Sequence, residues 1–547
     1  MAHTAPTAAD DGGGTDEASA PLATAAVALA DAVRTTLGPS GLDKMLIDRG
    51  GTVVVTNDGA NILENVAIED PVGQLVRRAA VAQADAVGDG TTTSVVLTGE
   101  LLRAAATLRE QGVNPTTIVD GYAEAGAIAA RRLSEYAVPV HSRDDQRLRR
   151  IAETAVTGRW DSRSTARFAA LTVDALESVD FDRGKLTHTA YPGRGLAASE
   201  HVDGLVVDMD TSSTSLEAVA PAAPDAIADP SIAMVDAEVG ISEPTHVESV
   251  TLENTEQADS LRRHEADTRA ALIEAVRGSD ADVLVAQKSI DDAVRSRLAS
   301  QGILPVERTR RDEFDAIARA TGSDPVQSVT ALEPGATGDA AAVERRSVGT
   351  TAALVVEGCP EEQRASLLLR GGTPHVADEV DRIVTDCLAV VGRALEDGAV
   401  VAGGGATAVA LARDLSTEAT GVADRRQLVL DAVAEALEAL PRTLAGNAGR
   451  DPLDTLTELR RRHDAGEHTV GVGPDGEPRE MVDCGVLEPR SVFERSLLRA
   501  LDLASMVLRV DGVIAVGASD DEPAGHDRGG HDHTSHDTGG YPWAIGH

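Results

Sequence analysis

Aromatic side chains are scarce in this 547-residue chain, with two Trp, four Tyr and four Phe making up 2% of the sequence. Its cores must therefore be built from Ala, Val, Leu and Ile, which suits helices and strands packed in layers. Cysteine is nearly absent. Cys359, Cys387 and Cys484 are odd in number, widely spaced and without a CxxC pair, so neither a disulfide framework nor a structural zinc site is signalled and the compartment reads as reducing. Lysine occurs only at Lys44, Lys185 and Lys288, so arginine supplies nearly all of the 50 basic residues. Against 89 acidic residues they leave a net charge of -39. Nucleic acid and anionic membranes would repel such a chain, and no counterions would be released on contact. So acidic and lysine-poor a surface reads as adaptation to concentrated salt, where the Debye length falls to about 3 Å at 1 M; a basic protein partner is the competing explanation. No 18 apolar residues run together, and the start lacks the basic-then-apolar pattern of a secretion signal. The expectation is a soluble, cytoplasmic protein.

What is present is a hydrophobic content of 42%, 51 glycines and enough length for two to four domains. Residues 1–20 and 517–547 lack periodicity and read as disordered tails. The second contains His526, His531, His533, His536 and His547 among Asp and Gly. It reads as a solvated tail in preference to a metal site, although histidine tracts can bind divalent metals. A first helix is predicted from Pro21 to about Leu37, stopped by Gly38 and Pro39. KMLI and TVVVT, joined by Asp48 to Gly51, predict a β-hairpin whose second strand ends in a tight turn at Asn57, Asp58 and Gly59.

The most informative run is VGDGTTT, Val87 to Thr93. Glycines at 88 and 90 allow φ > 0 and close backbone approach, and the N-terminus of the following helix attracts anions. Leu97, Leu101, Ala105 and Leu108 supply that helix's period. Asp89 can then hold Mg²⁺, a hard cation bound by one or two carboxylates together with phosphate oxygens; a capped turn is the bland alternative. From Gly204 to about Gly358, short β-rich runs alternate with helical stretches, as in an α/β domain. Further on, QLVLDAVAEALEAL predicts a helix with Leu428, Ala432, Val433, Ala436, Leu437 and Leu440 on one face and Pro441 at its end. A second glycine cluster, GAVVAGGG, spans Gly398 to Gly405. If both clusters touch one nucleotide, the chain ends form one domain and the middle is an insertion.

TLGPSGLDKMLID, VVVTNDGANIL, VGDGTTTSVVLTGELL, QKSIDD, LLRGGTPHVADEV, EDGAVVAGGG, PRTLAGNAGRDP and DCGVLEP together resemble, in order, segments of the group II chaperonins, the archaeal thermosome and TCP-1 type. The resemblance spans about residues 22–516. It implies a multidomain α and α/β fold: a mostly helical equatorial domain from residues 21–137 and 393–516, a small intermediate domain from 138–203 and 359–392, and a central α/β apical domain, 204–358, with a lid protrusion near 244–266. It implies an ATP-hydrolysing subunit of a double-ring chaperone that encloses non-native proteins, with ATP and Mg²⁺ as cofactors and other chaperonin subunits as partners. By matched motif, Leu37, Gly38 and Pro39 would lie along the phosphates, Asp89 on Mg²⁺, and Gly90, Thr91, Thr92 and Thr93 around the β- and γ-phosphates. Gly403 and Gly404 would pass the ribose, Asn447 and Ala448 border the adenine, and Glu488 reach a ribose hydroxyl. Asp386 matches the family's water-activating carboxylate and Asp58 would help position that water.

The chain also departs from the pattern. Ser40 stands where the family often has a basic residue, and Arg159 where it usually has a lysine that senses the γ-phosphate. Arginine keeps the charge with different reach and rigidity, so ATP binding is expected to persist with altered coupling to closure. The usual N-terminal extension is replaced by AHTAPTAADDGGGTDEASA, and the lid segment around Pro244 to Ala266 is notably polar. The altered N-terminus and Arg159 motivate an alternative, a divergent structural or regulatory subunit of a hetero-oligomer. A small-molecule kinase is disfavoured because no GxxxxGK[ST] loop is present.

Overall fold

The structure, a computed structural model, describes residues 19–47, 53–209, 224–241, 255–348 and 351–510. Residues 1–18 of the first predicted tail, the whole of the second with its five histidines, the Asp48 to Gly51 turn and residues 244–254 of the lid segment lie outside the described residues.

The two ends of the chain share one core. Buried Ala26, Val33, Leu63, Val96, Leu101 and Leu133 pack in the same apolar cluster as Leu411, Val433, Leu437, Phe493 and Leu501. Helices Ser19–Arg34, Thr91–Glu110, Pro115–Tyr136, Arg426–Leu437 and Arg490–Leu508 supply most of it. Small residues let these helices approach closely; a Cβ on Gly99 would come 2.4 Å from that of Ala30. Beside this body a short sheet crosses the chain twice, with strand Ala399–Ala402 between Leu487–Pro489 and Val138–Pro139. A second cluster joins Leu148, Ile151, Phe168 and Leu176 to Leu367, Val384, Leu388 and Val391. Its sheet pairs Leu186–Pro192 in parallel with Ala365–Gly371, which Glu200–Val202 flanks antiparallel.

The middle of the chain is α/β. Strands Ser231–Val235, Val283–Ala286 and Leu304–Val306 run parallel, with the short strand Gly338–Asp339 antiparallel at one edge. An antiparallel sheet of Gly204–Met209, Thr351–Glu357, Ala342–Val348 and Ala226–Ala228 packs beside them around Leu205, Met234, Phe314 and Leu354. The described part of the lid segment belongs to a 24-residue helix, Thr255–Gly278, whose residues 259–264 are exposed and mainly polar.

Three expectations need correction. The first helix stops at Arg34 instead of about Leu37, and beyond it the Asn447 side-chain amide donates to the carbonyls of Arg34 (3.2 Å) and Leu37 (2.9 Å), satisfying acceptors that the ended helix leaves open. The Arg426–Leu437 helix buries Val429, Leu430, Val433, Ala434, Ala436 and Leu437, whereas Leu428 is 44% exposed. Pro441 does not end that helix; it sits in the first turn of Ala439–Asn447, where its missing N–H is harmless.

Candidate functional site

Two glycines build the centre of the site. Helix Pro71–Val87 ends in Gly88, at φ 75°, and helix Thr91–Glu110 begins from Gly90, at φ 80°. Left-handed backbone at both positions turns the chain back within three residues, which leaves Asp89 at the tip. No side chain caps the first turn of the 20-residue helix, so its opening amides and positive dipole end remain available to an anion. The loop is held from behind. Gln83 Nε2 donates to the Asp89 carbonyl and to Ser496 Oγ, both at 3.2 Å, and Ser496 Oγ donates to the Gly90 carbonyl at 3.1 Å. A Cβ on Gly90 would fall 2.2 Å from Ser496 Oγ.

One cleft receives residues from both chain ends. Leu37, Gly38, Pro39, Asp58, Asp89, Gly90, Thr91, Thr92, Thr93, Arg159, Asp386, Gly403, Gly404, Ala448 and Glu488 all line it. The strand Ala399–Ala402 delivers Gly403 and Gly404, and its neighbour delivers Glu488 through the Val401 and Glu488 pairing. Asn447 is the exception: it does not line the cleft, since its amide is committed to the end of the first helix.

Asp58 does not sit in a simple turn. It caps helix Gly59–Asn65, accepting from Asn61 N at 2.7 Å, and its other oxygen accepts from Arg159 Nη2 at 2.9 Å. Arg159 also reaches Asn57 Oδ1 through Nη1 at 2.5 Å, so the guanidinium spans two acceptors with two separate nitrogens held in one rigid plane. The residue that sequence reasoning missed is Arg382. Its Nη1 lies 3.2 Å from Asp58 Oδ1 and 3.6 Å from Asp386 Oδ2, and its Nη2 bonds Glu379 at 2.6 Å. Arg382 and Asp386 stand four apart on helix Pro374–Asp397, a spacing visible in the sequence; the link to Asp58 is tertiary and was not. Also unanticipated in the lining are Asn57, Thr154, Thr157 and the Gly473 to Pro474 turn.

The carboxylates are electrostatically distinct. Burial raises the Asp58 pKa, but Arg382 and Arg159, with the Asn61 amide, outweigh it and hold the group below its ordinary value. Burial lifts Asp89 despite its bond from Gly90 N at 2.6 Å. Asp386 is pushed up to about 7 by burial and then by the charge of Asp58, with Arg382 and Arg159 pulling against them. Glu488 is pushed up to about 8 by burial and by Asp89. Four acidic groups thus share one cleft with Arg159, while Arg382 pairs with two of them from outside the lining. The net negative charge and the raised Asp89 fit a divalent cation, which would relieve both.

Fold and cleft together define a nested multidomain protein whose two ends close around one polar site and carry an α/β insertion between them. The family can be stated further. A profile of the TCP-1/cpn60 chaperonin family matches residues 29–517, and the chain belongs to that family as a chaperonin subunit. It is 39% identical over 499 residues to thermosome subunit alpha of Halobacterium salinarum, covering 90% of this chain and 88% of that one. It is 40% identical to the thermosome subunit of Methanopyrus kandleri, covering 90% of each, and 38% identical to thermosome subunit 1 of Haloferax volcanii, covering 92% and 90%. Among the described residues no helix is long and apolar enough to cross a membrane.

Proposed function

We propose that this chain is a thermosome-type subunit whose cleft binds Mg-ATP and hydrolyses it to drive enclosure of non-native proteins in a double ring. The observation that carries this reading is the single cleft in which Asp58, Asp89 and Asp386 face the two glycine turns and an uncapped helix N-terminus. Residues 21–137 with 393–516 would form the equatorial domain, 138–203 with 359–392 the intermediate domain, and 204–358 the apical domain. The shared core of the two ends and the separate clusters of the middle support that division.

The roles follow from chemistry. Gly90 to Thr93 present backbone N–H groups and hydroxyls to the β- and γ-phosphates, with Leu37 to Pro39 alongside the phosphate chain. Mg²⁺ held by Asp89 supplies charge neutralisation when bound. Gly403 and Gly404 let the ribose approach, Glu488 accepts a ribose hydroxyl and Ala448 borders the base; Asn447 positions the first helix instead of touching the base. Asp386, with a pKa near 7, is suited to take a proton from the attacking water at neutral pH. Asp58, held ionised, orients that water. Hydrolysis here is mostly positioning, and the positioning element is the Pro374–Asp397 helix. Its Asp386 turn packs against Gly88, where a Cβ would stand 3.0 Å from the Asp386 carbonyl. Withdrawing that helix removes Asp386 from the cleft, so chemistry and domain movement are one event.

The test is steady-state ATPase of assembled wild type beside Asp386→Ala, with particle imaging in molar salt. Turnover should fall roughly 10²- to 10⁴-fold while nucleotide affinity and ring formation survive. Equal turnover in the two proteins removes Asp386 from the mechanism.

A further inference from the structure

Away from the cleft, the described structure holds a second pocket that is basic in an otherwise strongly acidic chain. It opens between the Ser162–Ser178 helix, the loop 193–199 and the strand Ala365–Gly371, and Arg167, Arg194, Arg346 and Arg370 line it with Glu200. Arg346 is already taken up: Glu200 lies 3.1 Å away, Glu344 2.7 Å and Glu357 3.5 Å. The other three differ. No carboxylate lies within 4.0 Å of Arg167, Arg194 or Arg370 among the described residues, whereas most other arginines of the chain are in ion pairs.

Arg370 is the telling group. Its residue is 3% exposed, Nε is buried with no partner, and the guanidinium's one bond is a long one, 3.4 Å from Nη2 to the Pro192 carbonyl. A guanidinium has five N–H donors, and burying one without a counter-charge is strongly unfavourable. The surroundings add to that cost. Burial and then the neighbouring Arg194 charge hold the group below its usual range, outweighing the opposing pull of Tyr191 and of Glu200, which lies beyond ion-pair distance. Ser199, which is buried, anchors two of the elements: its carbonyl accepts from Arg167 Nη2 at 2.5 Å and its Oγ from the Arg370 backbone N at 2.9 Å. Three unneutralised guanidinium groups converging on one concavity make a receptor for a compact oxyanion, which offers several acceptor oxygens at once.

We propose that Arg370, Arg194 and Arg167 form a second anion site, separate from the nucleotide cleft, that takes inorganic phosphate or the phosphate group of a small metabolite. The geometry favours a small anion over a partner protein's carboxylate, because the deepest donor, Arg370, is almost wholly enclosed. The bound anion ties the helix, the loop and the strand together beneath the 204–357 portion of the chain. This site stands on geometry of its own and survives if the nucleotide reading fails.

The experiment uses assembled particles saturated with ADP and Mg²⁺, so that phosphate cannot report on the cleft. Inorganic phosphate and, separately, glycerol phosphate are titrated calorimetrically at constant ionic strength against potassium chloride. Saturable binding near one per chain is expected, weakened tenfold or more in Arg194→Ala and in Arg167→Ala. Both side chains are exposed, so folding should survive, and Arg370→Lys should retain weaker binding. A preference for one of the two probes separates the free ion from the esterified group. Selenate soaked into crystals should give an anomalous peak beside Arg370. No saturable binding, or equal affinity in the Arg167→Ala/Arg194→Ala double variant, overturns the proposal. So does binding to dissociated subunits that vanishes on assembly, which would give the pocket to a neighbouring subunit's carboxylate.

Discussion

At the scale of single residues, the site turns on how Arg382 divides its charge between Asp58 and Asp386. Asp386 carries a pKa of about 7 because burial and the Asp58 charge raise it more than Arg382 and Arg159 lower it. On the mechanism proposed above Asp386 acts as the general base and must be deprotonated, so hydrolysis should decline as pH falls through about 7. Arg382→Gln removes a favourable charge, raises the Asp386 pKa further and shifts that acid limb to higher pH. The loss should be largest near neutrality and partly recovered in alkali. A kcat profile against pH decides this, and an unmoved limb in Arg382→Gln refutes the coupling. The same shift has the opposite consequence for nucleotide-free stability. Asp386 and Glu488 keep a proton in the folded chain that the unfolded chain releases at about pH 4. The stability they contribute is complete below that pH and is lost as pH rises through about 7 and about 8. Glu488→Gln should therefore flatten the decline in melting temperature between mildly acidic and alkaline pH, and an unchanged slope would exclude Glu488 as its source.

At the scale of elements, helix Arg426–Leu437 separates what periodicity can tell from what packing decides. Leu430 is fully buried against the shared core, while Leu428, two residues earlier, is 44% exposed. Leu430→Ala should cost about 2 to 5 kcal/mol, whereas Leu428→Ala should stay within about 0.5 kcal/mol. Chemical denaturation of the dissociated subunit measures both, and equal effects contradict the observed face. The apolar run QLVL offers three adjacent candidates, and alanines fill much of the rest. Several rotations of the helix therefore satisfy a 3.6-residue period equally well, and only the neighbouring helices choose among them. Where backbone demands were local, the sequence was readable. The hairpin pairs Lys44 with Thr56 and Ile47 with Val53, and the helix after VGDG starts at Thr91, because Gly88 and Gly90 can take the left-handed backbone that ends one helix and opens the next. Side chains with long-range partners were not readable. Asn447 looked like a residue facing a base but holds the Arg34 and Leu37 carbonyls. Arg382 was one arginine among many until the fold set it beside Asp58.

At the scale of the whole molecule, a net charge of -39 opposes any assembly of identical chains, so apolar contact must overcome repulsion. The hairpin Lys44–Ile47 and Val53–Thr56 presents such a contact. Register places Met45 opposite Val55 and Ile47 opposite Val53, so all four side chains share one face. That face is bare: Met45 is 66% and Val55 52% exposed. Leu46, on the opposite face, packs against the main core. A two-stranded ribbon with an uncovered apolar face has little stability of its own and offers free edges for pairing with another chain. Concentrated salt helps twice, shortening the Debye length to about 3 Å at 1 M and, for strongly hydrated anions, strengthening apolar burial. Val55→Glu adds a charge to the bare face without touching the core, so each subunit should fold while ring assembly falls at least tenfold in apparent association constant. Sedimentation velocity in molar potassium chloride would report the particle and the dissociated subunit directly. Dilution into low salt should dissociate wild type toward the same distribution, because repulsion then reaches across the interface. Rings at wild-type abundance in Val55→Glu would mean that the hairpin face is not what joins the subunits.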